Sequence, residues 1–132
     1  MEIEPGSSSD LQEDFQWLTA TKKGGKSCVF IKKGFRWRRI YLEDIVYVES
    51  DKEFAHLHVN GTKFTVRKSL KELSELLPET GFIRIHKSFL ISQDYVVSFY
   101  GNTVELEVDG EIKPFPISRT YKAGFRERFL CI

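Results

Sequence analysis

Ile83-Arg84-Ile85-His86-Lys87-Ser88-Phe89-Leu90-Ile91 is the stretch on which the reading of this chain turns. Ile83 and Ile85 alternate with Arg84 and His86, the two-residue period of a strand with one buried face. The alternation breaks at Lys87-Ser88, and apolar character returns at Phe89-Leu90-Ile91. A cation and a small hydroxyl residue are thereby held out of the body between two segments anchored in it. Such a mount suits a basic contact residue. It is also what an ordinary strand end with solvated polar residues looks like, and these nine residues alone do not choose between the two.

The chain on either side reads the same way, as short strands and tight turns. Downstream, Tyr95–Tyr100 and Thr103–Val108 are joined at Gly101-Asn102, with Val104, Leu106 and Val108 alternating inward against Glu105 and Glu107. Asp109-Gly110 turns into Glu111–Ile117, where Pro114 and Pro116 make the strand a sheet edge or bend it away. Ser118 stands where it can cap a closing helix running from Arg119 to about Phe129. Tyr121, Phe125 and Phe129 line one side of that helix, and Arg119, Lys122 and Arg126 a neighbouring side.

Upstream, Ser69-Leu70-Lys71-Glu72 is a capping box, and Leu70, Leu73, Leu76 and Leu77 recur at helical spacing before Pro78. Before that, Phe54–Val59 and Thr62–Val66 flank Asn60-Gly61, a strong hairpin signal that turns Ala55, Leu57, Val59, Phe64 and Val66 inward. Cys28–Lys32, Phe35–Tyr41 and Ile45–Ser50 complete the expected strands. Residues 1–21 carry five acids and no Lys or Arg; Leu11, Phe15 and Leu18 there are near helical spacing and suggest a short helix. The organisation expected is an acidic leader over residues 1–25 and one folded domain over 26–132. The fold class is mainly β: an elongated assembly of small antiparallel sheets and hairpins with one mid-chain and one C-terminal helix. Clean alternation and few helices exclude a parallel α/β sheet.

At 132 residues the chain is long enough for one core, and its 41% hydrophobic content excludes a disordered polyanion binder. No apolar run approaches a membrane span, and Met1-Glu2-Ile3-Glu4-Pro5 has no export-signal character, so no membrane partner and a cytoplasmic location are expected. Cys28 and Cys131 fit no zinc spacing. With residues 1–21 set aside, all 20 Lys and Arg face 14 of the 19 acids, a surplus that permits a polyanionic partner.

Catalytic chemistry finds little support. His86 and Ser88, two apart on a strand running into a turn, do not put an imidazole on a hydroxyl. Lys23-Gly24-Gly25-Lys26-Ser27 lacks the spacing of a phosphate loop. His56 and His58 share a strand face without a third ligand, the pattern of solvated surface histidines, so neither a metal nor another cofactor is expected. The cations are more informative: Lys32, Lys33, Arg36, Arg38 and Arg39; Lys52; Arg67, Lys68 and Lys71; Arg84 and Lys87 with Arg119, Lys122 and Arg126. Each group lies in a turn, on an outward strand face or at a helix start, where it can reach phosphates or a base edge. The first group reads as a solvated face or phosphate contacts only.

The order of features from about Phe30 to Phe129 resembles the LytTR DNA-binding domain of bacterial response regulators and some shorter transcription factors. Four pieces carry the resemblance: Leu42-Glu43-Asp44-Ile45-Val46-Tyr47-Val48-Glu49-Ser50; Ser69-Leu70-Lys71-Glu72-Leu73; Phe82-Ile83-Arg84-Ile85-His86-Lys87-Ser88-Phe89-Leu90-Ile91; and Ile117-Ser118-Arg119-Thr120-Tyr121. The resemblance implies double-stranded DNA binding in transcriptional regulation, through loops that enter successive major grooves. By position it implies base contacts from Lys52, Lys87 and Arg119, and a loop-orienting role for His86. Backbone contacts are expected from Arg67, Lys68, Arg84, Ser88, Lys122 and Arg126. Lys87 stands where Arg is common in the family, Phe89 where Tyr is usual and Ser92 where Asn is usual, departures that bear on target preference.

The family's regulators nearly always carry a phosphoacceptor domain ahead of this one. The leader cannot hold one, so the chain is expected to be either a fragment, the output domain of a two-component response regulator, or a free-standing regulator. Repeated half-sites and a homodimer on DNA fit the small number of contacts per domain. The competing expectation is a protein-binding β module docking through Glu111–Ile117 or an exposed aromatic. Single-strand stacking on Phe35 and Trp37 ranks below both.

Overall fold

The computed structural model describes residues 15–23, 26–78 and 81–132, with side chains from residue 27 onward. Among the described residues, eleven strands form three antiparallel sheets, accompanied by two helices and two single 3-10 turns. The first sheet holds β1 (Phe15–Lys23), β2 (Lys26–Lys33) and β3 (Arg36–Tyr41) in sequence order. The helix expected over Leu11–Leu18 is not there from Phe15 onward: those residues pair with β2, Phe15 opposite Ile31, and extended pairing overrides a weak helical period. The part of that expectation before Phe15 lies outside the described residues.

The central sheet has the order β6-β5-β4-β8-β7. Its strands are β4 (Ile45–Asp51), β5 (Phe54–Val59), β6 (Thr62–Val66), β7 (Phe82–His86) and β8 (Phe89–Ser92). The 3-10 turn Leu42–Asp44 leads into β4. Between β6 and β7 lies α1 (Leu70–Leu76), opened by the expected capping box: Glu72 N–H donates to Ser69 Oγ at 3.0 Å, and Ser69 N–H donates to Glu72 Oε1 at 2.8 Å. The third sheet holds β9 (Val96–Tyr100), β10 (Thr103–Val108) and β11 (Glu111–Pro116), with β10 in the middle and the proline-bearing β11 on an edge. The closing helix is α2 (Arg119–Glu127).

β4, β8 and β7 carry buried residues on both faces while β5 and β6 bury one, so the two-residue period sorts side chains of the central sheet into two cores. Val48, Leu57, Phe64 and Leu90 look toward the first sheet and α1, packing with Val29, Ile31, Ile40, Leu70 and Leu73. Tyr47, Ile83, Ile85 and Ile91 look the other way, onto Val104, Leu106, Phe115, Ile117 and Phe125. The residues expected to face inward in the Asn60-Gly61 hairpin are all buried. Ser118 sits at the helix N-cap, but its hydroxyl makes no capping bond. Its backbone N–H donates instead to Ile85 O at 2.9 Å, tying the start of α2 to β7.

Candidate nucleic-acid interface

One end of the central sheet collects the expected contact residues. β4 ends at Asp51 and β5 begins at Phe54, which leaves Lys52-Glu53 as a two-residue turn. β7 ends at His86 and β8 begins at Phe89, which leaves Lys87-Ser88 as another. β8 pairs with β4 through Glu49↔Phe89, so both turns leave the same end of the sheet. Neighbouring strands lie about 4.8 Å apart, so turn centres two strands apart are separated by about 10 Å. Beyond β7, the Ser118–Ile85 bond starts α2 at the same end, with Arg119 its first residue. On the opposite flank β6 ends at Val66, opposite Ala55, and Arg67 follows it. The sheet end therefore carries Arg67, Lys52, Lys87 and Arg119 in that order, all four exposed.

Each turn is held by its neighbours. In the Lys87 turn, the Arg84 guanidinium donates from Nε to His86 O at 2.8 Å and from Nη2 to Lys87 O at 3.0 Å, and lies 5.5 Å from the Tyr121 ring centre. His86 Nδ1 accepts the Ser88 N–H at 3.0 Å, and its ring packs 5.7 Å from that of Phe89. Three backbone polar groups of this turn are thus satisfied by side chains, which leaves Lys87 projecting from a fixed frame. Arg84, expected to touch the DNA backbone, is half-buried and already engaged in that frame.

The Lys52 turn is strained. Lys52 has φ 61°, a left-handed conformation that costs a residue with a Cβ about 1–2 kcal/mol. Among the other described residues positive φ falls on Asn60, Asp109 and glycines, the residue types that adopt it with least penalty. The acids on either side of Lys52 are both paired: Asp51 Oδ2 lies 3.0 Å from His56 Nε2, and Glu53 Oε2 lies 3.4 Å from Arg67 Nη2. The Arg67 guanidinium also covers the Phe54 ring at 5.8 Å. Of the carboxylates that would repel a polyanion beside Lys52, Glu53 is thereby partly neutralised by Arg67, and Asp51 is engaged by the His56 ring.

The remaining expected contacts divide. Ser88 and Lys68 are half-buried, while Lys122 and Arg126 are exposed on α2, one turn and two turns beyond Arg119. The cations of the first group lie on the first sheet, where Lys33 and Arg38 cover the Phe64 ring and Arg39 the Tyr41 ring.

The histidines of β5 differ from expectation. His56 and His58 are not simply solvated: their side chains are 18% and 26% exposed, and both have partners. His56 Nδ1 lies 2.8 Å from Thr65 Oγ1, and His58 stacks on Tyr47 with ring centres 4.1 Å apart. A signal for this was present in the sequence. A two-residue Asn60-Gly61 turn sets Val59 opposite Thr62, which forces His56 opposite Thr65. Among the described residues no group of three His, Cys, Asp or Glu side chains could hold a metal ion. No helix among them is long and apolar enough to cross a membrane.

Residues 36–130 match the family model of the LytTr DNA-binding domain. A solved LytTr DNA-binding domain from Bacillus cereus superposes with a TM-score of 0.65 at 28% identity, covering 79% of this chain and 97% of that one. The sensory transduction protein LytT of Bacillus subtilis is 28% identical over 82 residues, 60% of this chain. Its namesake from Enterococcus faecalis is 28% identical over 96 residues, 68% of this chain. The chain spans only 34% and 39% of the length of these two relatives. With most of its length matched by the family model and its fold shared with a solved member, the chain belongs to the LytTr DNA-binding domain family.

Proposed function

We propose that this DNA-binding domain reads a specific duplex sequence in the control of transcription, through the turns and helix start at one end of its central sheet. The observation that carries the proposal is the alignment of Lys52, Lys87 and Arg119 along that one end. A cation on a braced turn can address a base edge without the ordering cost of a free loop. Arg119 forks onto one guanine; Lys87 and Lys52 act as point charges with weaker base selectivity. Turns about 10 Å apart fall within one major groove, which recurs about every 34 Å, so successive grooves are met by the second copy on a repeated half-site. Arg67, Lys68, Ser88, Lys122 and Arg126 meet phosphates. Arg84 and His86 hold the Lys87 turn, and any phosphate contact from Arg84 comes from what its frame leaves free.

The domain acts without catalysis in this reading, in the bacterial cytoplasm, with residues 26–132 as the DNA-binding unit and the acidic residues 1–25 leading into it. Two copies on repeated half-sites supply the affinity that one row of contacts lacks. It serves either as the output domain of a two-component response regulator or as a free-standing regulator; the former is favoured by the solved Bacillus cereus domain, named as part of a DNA response regulator, and by the LytT relatives, named as sensory transduction proteins.

Selection of bound duplexes from a random pool tests the reading. A recovered motif, repeated at one or two helical turns, supports it; recovery of unrelated sequences at high and low salt alike overturns sequence reading. The rival, a protein-docking β module, has one observation in its favour: Val97, Tyr100 and Ile112 are all about half-exposed on the third sheet (48%, 58% and 54%). Absence of duplex binding at low salt would shift weight to it.

A further inference from the structure

We infer that His56 is a positioning residue for Lys52, and that the relay Asp51–His56–Thr65 sets which base pair the Lys52 turn reads. The inference rests on the proposed base contact of Lys52.

Three observations converge on it. The Lys52-Glu53 turn needs a left-handed residue at its first position, as the Gly101-Asn102 turn does, but there the residue is glycine with φ 55° and here it is lysine with φ 61°. A strained non-glycine turn persists only where its surroundings over-determine it, and such turns cluster at functional positions. The over-determination is visible: His56 joins the last residue of β4 to the penultimate residue of β6, with Nε2 3.0 Å from Asp51 Oδ2 and Nδ1 2.8 Å from Thr65 Oγ1. A carboxylate only accepts, so Nε2 carries the hydrogen toward Asp51, and the second bond joins Nδ1 to the Thr65 hydroxyl. Both ring nitrogens are then used, and the ring cannot flip or swing without breaking two bonds.

The relay also mirrors the neighbouring turn. His86 holds the Lys87 turn through Ser88 N–H, one strand pair away. Two adjacent contact turns are thus each held by an imidazole, one bonded to backbone and one to a carboxylate. Glu53, on the other side of Lys52, has its own partner in Arg67, an exposed pair whose bond is longer, at 3.4 Å. It does not replace the relay, because it acts after the strained residue, while Asp51 fixes the backbone leading into it.

The test compares the wild type with His56→Leu, His56→Gln, Lys52→Ala and the double variant His56→Leu/Lys52→Ala, on a selected duplex and on scrambled duplex. His56→Leu is expected to lose about tenfold in specific affinity, to relax preference at the same base pair as Lys52→Ala, and to leave scrambled-duplex affinity within about twofold. The double variant is expected to match Lys52→Ala alone, and His56→Gln, whose amide can donate to Asp51 and accept from Thr65, to restore much of the preference. Equal losses on both duplexes, or additive losses in the double variant, overturn the inference.

A DNA-free readout separates it from the contact it rests on. The amide–Hα coupling of Lys52 in NMR reports its left-handed φ. If His56→Leu changes that coupling while neither it nor Lys52→Ala changes base preference, the histidine holds the turn and the Lys52 contact is wrong. If the coupling is unchanged, the relay does not position the turn. Thr65→Val, which removes one bond while leaving β6 apolar and β-branched, gives the same readout should His56→Leu fail to fold.

Discussion

The backbone N–H of Ser50 donates to the backbone oxygen of Ser88 at 3.0 Å, which locks the last residues of β4 to the turn before β8. The Lys52 and Lys87 turns are therefore one unit, and the side chain at 87 projects from a frame that substitution at 87 does not disturb, because that frame is made by Arg84 and His86. Lys87→Arg should accordingly fold normally and sharpen base discrimination by about tenfold, since a guanidinium forks onto guanine where an ammonium makes a point contact. Affinity for scrambled duplex should stay within about twofold. Competition binding against single-base variants of the selected site checks both numbers.

Arg119 begins α2 and is fixed from behind by the Ser118–Ile85 backbone bond, so removing its side chain leaves the helix start in place. Arg119→Ala should weaken binding to the selected duplex by about 10- to 100-fold, the range of one bidentate contact, and binding to scrambled duplex by about twofold at most. Titrations on the two duplexes at one salt concentration decide it; equal losses on both would make Arg119 a phosphate contact.

Lys122 and Arg126 follow on the same helix and face solvent. As phosphate contacts they act through counterion release, so each Ala substitution should make the slope of log K against log salt shallower by about 0.9, from a starting value near −4 or −5 for about five contacts. Base preference should be untouched. A slope unchanged in both variants removes α2 beyond its first turn from the interface.

Much of this fold was legible because it is written in two-residue periods and hairpin dipeptides. Asn60-Gly61 and Asp109-Gly110 set the register of their strands, and the capping box at Ser69 and Glu72 set the start of α1. The row of cations followed from resemblance in order, but its geometry depends on β8 lying between β4 and β7, a non-sequential pairing that no local pattern encodes. The same holds for what was missed. Arg84 reads as a free outward cation, yet its reach to the carbonyls of His86 and Lys87 depends on the turn's conformation. The Lys52-Glu53 turn carries no turn-forming residue at its centre, so its strain shows only in φ. Phe15–Lys23 shows the opposite failure: an apparent helical period in a segment that pairs with β2.

His58 gives the domain an acid-sensitive point at the margin of its second core. The ring stacks on Tyr47, and its Nε2 is buried without a hydrogen bond, 3.7 Å from Glu49 Oε1. Burial lowers the His58 pKa from its ordinary value of 6.5, with Lys63, His56 and Lys113 acting in the same direction and Glu49 opposing them. The unfolded chain then binds a proton at this site at a higher pH than the folded one does. Stability contributed here is fully present above about pH 6.5 and is lost as pH falls from there toward the lowered folded value. His58→Phe keeps an aromatic ring on Tyr47 and removes the titrating group, so urea midpoints at pH 7 and pH 5 should differ less in the variant than in the wild type. An equal drop in both would place the acid sensitivity elsewhere, on the carboxylates.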